Sequence, residues 1–171
     1  MTVTVVVGNP KPASRTLRAA TLVARALRPD AELEVVDLAT LGPGLLGWGD
    51  PVVTAKVRDV ANSDLAVFAS PTFKATYSGL LKLFLDQFES GSGLAGVVAI
   101  PVMLGAGPAH ALAPDLLLKP VLVELGATSP APGLYLSEKT FQDDGAISRY
   151  VERWRPVVQA VSRQSGVVNN A

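Results

Sequence analysis

At 171 residues, with 49% apolar and 18% charged side chains, the chain is long enough for one domain with a sizeable core and too apolar to be disordered. Fifteen basic and fifteen acidic residues cancel, which argues against a general nucleic-acid binder, a polybasic membrane-surface protein or a strongly acidic electron carrier. With no cysteine and one histidine, disulfides, thiolate zinc sites, iron–sulfur clusters, thiol catalysis and histidine-rich metal sites are excluded.

Residues 2–7 (TVTVVV) form a continuous β-branched run, expected of a strand buried on both faces. Residues 14–27 read as a helix stopped at Arg28-Pro29, and 33–36 as a short second strand. Residues 40–50 are rich in glycine and proline and read as an irregular loop. A helix over 52–60 and a third strand over 65–69, ended by Ser70-Pro71, follow. Over 78–88 the apolar residues Leu81, Leu85 and Phe88, with Leu80 and Phe84, recur at helical spacing. A fourth strand is expected over 96–103, with a bulge or strand end at Pro101. Residues 114–125 read as a helix ended by Gly126, 134–136 as a weak fifth strand, and 147–161 as a final helix. A domain spanning 1–162 with a disordered tail over 163–171 is expected. No apolar run reaches the length of a membrane span and the first residues carry no signal-type pattern, so a soluble cytoplasmic protein is expected.

Strands alternating with helices imply a parallel sheet covered on both faces. Such sheets bind ligands beyond the carboxyl ends of their strands, at a topological switch point. Three loops therefore carry the functional question: residues 8–16, 70–78 and 103–110.

The first loop reads GNPKPASRT between a buried strand and a helix. Free amides at the helix start, with the positive end of the helix dipole, form an anion site. Ser14 and Thr16 add hydroxyls, and Lys11 and Arg15 add positive charge. The first 29 residues carry five basic side chains and no acidic one. The loop lacks the GxGxxG of dinucleotide sites and the GxxxxGK[ST] of nucleoside triphosphate sites. A hydroxyl-rich turn suits a terminal phosphate monoester, which is nearly dianionic with three outer oxygens. The plain alternative is ordinary capping by Ser14 beside a solvated basic face. Pro10 and Pro12 each remove an amide donor. Two GxGxxG matches, at residues 42–47 and 91–96, lack the strand-to-helix context and read as loops.

The second loop, SPTFKATYSG, leaves the third strand through Pro71 and has small residues that leave backbone amides accessible. It can present donors and acceptors to the edge of a heteroaromatic ring. Phe73 and Tyr77 either wall off such a site or staple the next helix. In the third loop, Gly105 and Gly107 permit close backbone approach to a flat ligand. His110 reads as a helix-entry residue, with no partner motif for catalysis. No G-x-S-x-G elbow supports serine hydrolysis.

The pieces VVVGNPKPASRT, ASPTFKATYSGLLKLFLD and GAGPAHALAPDLLLKPVLVELGA together resemble the NAD(P)H-dependent FMN reductase family. They are most similar to the flavodoxin-like reductases of two-component alkanesulfonate and methanesulfonate monooxygenase systems. The resemblance implies a flavodoxin-like three-layer α/β sandwich with a five-stranded parallel sheet in order 2-1-3-4-5. It implies that Asn9, Lys11, Ser14, Arg15 and Thr16 hold the FMN phosphate. It implies that Pro71, Thr72, Phe73 and Lys74 contact the flavin ring, with Gly105 and Ala106 beneath or beside it. The helix over 78–88 matches a family dimerisation surface, implying a homodimer or a homotetramer built from two dimers. Two departures stand out. The family's paired glycine is Gly105-Ala106 here, and Leu116 stands where some flavin-passing members carry an aromatic residue.

The expected activity is hydride transfer from NAD(P)H to FMN, with reduced flavin passed to a monooxygenase. The cofactor carries that chemistry, so no catalytic side chain and no metal is expected. An FMN-containing NAD(P)H quinone or azo-dye reductase, a flavodoxin-type electron carrier and a nucleotide-binding regulatory module are the alternatives.

Overall fold

In the computed structural model, which describes residues 1–165, the apolar runs become the middle of a sheet. Strand β1 (Thr2–Val7) is buried at every residue after the first, and β3 (Leu65–Pro71) and β4 (Val98–Gly105) along their whole length. These strands are covered on both faces. The edge strand β2 (Glu32–Asp37) is largely open, and β5 (Leu134–Ser137) alternates between buried and half-buried. All pairings are parallel, in the order β2-β1-β3-β4-β5. The chain therefore reverses its direction of winding between β1 and β3, which puts the switch point at their carboxyl ends.

Helices α1 (Arg15–Leu27) and α5 (Ala146–Ser165) cover one face, where Val23 and Leu27 of α1 and Val158 of α5 meet Val5, Val67 and Ile100. Helices α2 (Pro51–Ala61), α3 (Gly79–Leu85) and α4 (Lys119–Glu124) cover the other, around Phe68, Phe84 and Met103. Asp50 caps α2 by accepting from the amides of Val52 and Val53, and Ser78 caps α3 through Leu81. Helix α5 runs through Ser165, into the tail expected over 163–171, of which residues 166–171 lie outside the described residues.

Three local features differ from the sequence expectation. Pro101 makes no bulge and ends no strand: it pairs in register with Phe68, in the middle of β4. The alternation of amides explains why. Val98 donates toward β3, to Asp64, and Ala99 donates to Thr128 on the opposite side. Pro101 faces the same way as Ala99, where β5 pairs only from Val102 onward. Its missing N–H thus falls where no ladder bond is required.

The helix expected over 114–125 opens instead with one wide π turn, Pro114–Leu118, closed by the Lys119 amide on the Pro114 carbonyl. Pro120 follows directly. It has no amide to donate and its ring crowds the carbonyl four residues back, a conflict that a wider turn relieves. The third difference concerns α3. It ends at Leu85 rather than at residue 88; Leu81, Phe84 and Leu85 are buried in the core of the chain, while Leu80 and Leu83 stay half-buried. Phe84 and Phe88 meet edge to face at 5.4 Å.

Candidate functional site

Two buried hydroxyls tie the roots of the first two candidate loops together. The Ser78 hydroxyl donates to the Gly8 carbonyl and accepts from the Leu81 amide at 3.1 Å. The Ser78 amide donates to Ser70 Oγ at 2.8 Å, and Ser70 Oγ donates to the Pro71 carbonyl at 2.8 Å. The Gly8 amide bonds the Ala69 carbonyl at 2.8 Å. A side chain at Gly8 would collide with Leu81, so only glycine lets β1 leave the sheet beneath α3.

Beyond Gly8 the chain is clamped by Asn9. Its Oδ1 accepts from the Lys11 amide and its Nδ2 donates to Thr16 Oγ1, each at 2.9 Å. Ala13 adopts a φ of 52°, a left-handed conformation, while its amide donates to Asp37 Oδ2 at 3.1 Å. Ser14 then caps α1, its Oγ accepting from Leu17 at 3.2 Å. That bond leaves the hydroxyl proton free to donate. The first-turn amides of Arg15 and Thr16 have no acceptor within α1.

These residues line a cavity of about 340 Å³: Asn9, Lys11, Ser14, Arg15 and Thr16 on one side, Pro71, Phe73 and Leu104 on another. Glu138, just past β5, completes the wall. Arg15 donates to the Glu138 carbonyl at 3.3 Å and to its Oε2 at 3.5 Å. Two cations, two hydroxyls and the amino end of a helix can receive an anion here, opposed by the Glu138 carboxylate.

The second loop folds into a two-residue hairpin. Phe73 and Thr76 exchange both backbone bonds, at 2.9 and 3.2 Å, while Lys74 and Ala75 turn the corner with φ of 50° and 71°. Positive φ at both corners is the geometry of a tight hairpin, held here without glycine. The Thr72 amide anchors the hairpin to the Leu104 carbonyl at 2.7 Å. Thr72 Oγ1 is buried with no protein partner. Other atoms of Thr72 border a second cavity of about 570 Å³, whose walls include Gly105, Ala106, His110 and Tyr135. The Tyr135 hydroxyl donates to the Gly107 carbonyl at 2.7 Å and so pins the third loop to β5.

The two cavities abut. Pro71 and Leu104 border the first, and their successors Thr72 and Gly105 border the second. Ten of the eleven expected site residues thus surround one composite cleft, at the carboxyl ends of β1, β3 and β4. Lys74 does not reach either cavity; it sits at the exposed hairpin corner. Tyr77 packs against the α2–α4 side of the core, where burial pushes its hydroxyl up from the ordinary value. Glu138 and Tyr135 belong to the cleft but escape the three-loop reading, because β5 and its exit were left outside it. Extending the rule about carboxyl ends to the last strand would have found them.

The sheet order, the doubly wound helices and an anion cavity at the switch point define a flavodoxin-like α/β protein. The model for the family described as NADPH-dependent FMN reductase matches residues 1–142, and the chain belongs to that family. It is 36% identical over 107 residues to an FMN reductase (NADPH) of Pseudomonas putida, across 61% of this chain and 50% of that protein. The chain thus spans about half the length of that relative. Among solved structures it resembles the apo form of an NADH:FMN oxidoreductase (EMOB), with a TM-score of 0.81, 27% identity and coverage of 95% and 89% of the two chains. A flavodoxin of Streptococcus pneumoniae shares the fold at a TM-score of 0.64 and 18% identity, over 94% and 99% of the chains.

Proposed function

We propose that the chain is an NAD(P)H-dependent FMN reductase that transfers hydride from NAD(P)H to FMN. The reading is carried by the composite cleft, in which an anion cavity adjoins a second cavity walled by Thr72, Gly105 and Tyr135. FMN fits that pair of features. Its phosphate monoester matches Lys11, Arg15, the Ser14 hydroxyl and the first-turn amides of α1. Its flat ring matches the second cavity, bordered by Thr72, Gly105, Ala106 and Tyr135. FMN held there by Lys11, Arg15 and Ser14 would supply the redox chemistry for reaction with the nicotinamide.

The chain's own residues bind and orient. Lys11 and Arg15 neutralise the phosphate, and Asn9 holds the loop that carries them. Gly105 and Ala106 keep one wall low, so that a flat ring lies close to backbone. Phe73 is 47% exposed beside the first cavity and shields one side of a bound ligand. A step whose chemistry lies in the cofactor needs no acid–base pair from the protein.

We further propose that reduced FMN is handed to a monooxygenase, that the chain acts in the cytoplasm, and that it self-associates as a dimer or tetramer. No helix among the described residues is long and apolar enough to cross a membrane. Two surfaces offer apolar area for self-association: α3 through the half-buried Leu80 and Leu83, and the π turn through the exposed Leu112, Leu116 and Leu117. The test is oxidation of NADH and of NADPH by purified protein, with and without added FMN, in air and under anaerobic conditions. Oxidation that requires added FMN, and that stops when that FMN is consumed without oxygen, is expected. No oxidation with either nucleotide, despite a folded protein, would overturn the reading.

A further inference from the structure

The anion cavity contains its own competitor for the anion. Glu138 is the one acidic side chain in a wall that also holds Lys11 and Arg15. Its backbone is fixed, because its amide donates to the Gly105 carbonyl at 3.0 Å and its carbonyl accepts from Arg15 at 3.3 Å. Its carboxylate pairs with Arg15 at 3.5 Å, a long contact between half-open groups, 61% exposed on arginine and 34% on glutamate. Such a pair is weak and readily exchanged. The other nearby carboxylate, Asp37, is already engaged by the amides of Ala13 and Ala39.

We propose that Glu138 sets the affinity of the phosphate cavity, weakening its hold on FMN so that the flavin exchanges with solution. The proposal rests on the FMN-reductase reading above. A phosphate dianion entering the cavity takes Arg15 in a stronger, charge-assisted contact than the carboxylate offers. Glu138 is then left without its cation, beside two negative charges. The cavity's formal charge is +1 from Lys11, Arg15 and Glu138 together, one short of what a dianion requires. A neutral residue at 138 removes the repulsion and the charge pairing with Arg15, leaving only the bond from Arg15 to the backbone carbonyl. Riboflavin, which lacks the phosphate, does not sense the difference. Weak retention is the property expected of a flavin that is a substrate and product rather than a permanent prosthetic group.

The experiment measures FMN and riboflavin binding to the full chain by flavin fluorescence titration, for wild type, Glu138→Gln and Glu138→Asp, with thermal denaturation to verify folding. Glu138→Gln is expected to bind FMN roughly tenfold more tightly, by relief of a short-range charge repulsion. Its FMN release slows in proportion, and riboflavin affinity stays unchanged. The gain shrinks as salt is raised. Glu138→Asp keeps the charge and stays within about twofold of wild type. Equal FMN affinity in wild type and a folded Glu138→Gln overturns this inference while leaving the reductase reading intact. So does an equal gain for riboflavin. Failure of wild type to bind FMN at all overturns both.

Discussion

Tyr135 and Gly105 lie so close that a methyl group on the glycine would overlap the phenolic hydroxyl and approach Cζ to 2.7 Å. The two residues face each other across β4 and β5, where Tyr135 pairs with Met103 and Gly105 with Ser137. The same hydroxyl holds the Gly107 carbonyl. Glycine at 105 is thus required by packing against the last strand, and the loop position depends on that packing. Gly105→Ala is expected to displace Tyr135, break its bond to Gly107 and cost about 1–3 kcal/mol of stability. In a Tyr135→Leu background the added penalty of Gly105→Ala should largely disappear. A double-mutant cycle by chemical denaturation measures the coupling. Additive penalties would show that the ring does not impose the glycine.

Arg15 supplies charge to the anion cavity from an exposed position, so its removal should leave the fold within about 0.5 kcal/mol of wild type. Arg15→Ala is expected to weaken FMN binding by about 1.5–3 kcal/mol, the range for hydrogen bonds to charged groups. Riboflavin binding should change far less. Calorimetric titration with both ligands checks this, and equal losses for the two would remove the phosphate from this cavity.

The apolar pattern made most of the fold legible. Continuous runs such as TVTVVV and LAVFA state burial on both faces, and the alternation with helices states parallel pairing. The first loop was legible because helix capping and charge lie close together in sequence, from Lys11 to Thr16. What the pattern could not convey was competition between uses of one side chain. The spacing of Leu81, Phe84 and Leu85 says that α3 has an apolar face, not whether a sheet or a second chain covers it. Likewise Glu138 meets Arg15 across 123 positions, a contact that no local spacing records. Pro101 was misread because its tolerance depends on where β5 begins, which is a property of the neighbouring strand.

The two apolar surfaces respond differently to substitution. Leu81→Ala and Phe84→Ala empty fully buried positions and should each cost about 2–5 kcal/mol. Leu116 is 65% exposed, so Leu116→Glu should alter stability of the chain by no more than about 0.5 kcal/mol. If the π-turn surface mediates self-association, that variant lowers the mass in sedimentation while the α3 variants lower the denaturation midpoint. An unchanged mass for Leu116→Glu would move the contact elsewhere.

The start of α5 carries a pH-dependent contribution. Asp144 accepts from the Ala146 amide at 2.9 Å and from the Thr140 hydroxyl at 2.7 Å. These bonds, the amide first, hold its carboxyl below the ordinary value of 3.8. A carboxyl lowered by folding stabilises the native state when ionised. Its contribution is complete above the unfolded value and is lost as pH falls through the lower folded value. Asp144→Ala should therefore cost no more than about 0.5 kcal/mol near neutral pH, since the carboxyl is largely in solvent. For a chain of this size that is at most about 1–2 °C in Tm. The gap between wild type and variant should close on the acid side of the carboxylate range, because the protonated aspartic acid no longer accepts as an anion. Thermal denaturation of both proteins from neutral to acid pH tests the sign directly. A gap that widens as the pH falls would mean that Asp144 acts through something other than its negative charge.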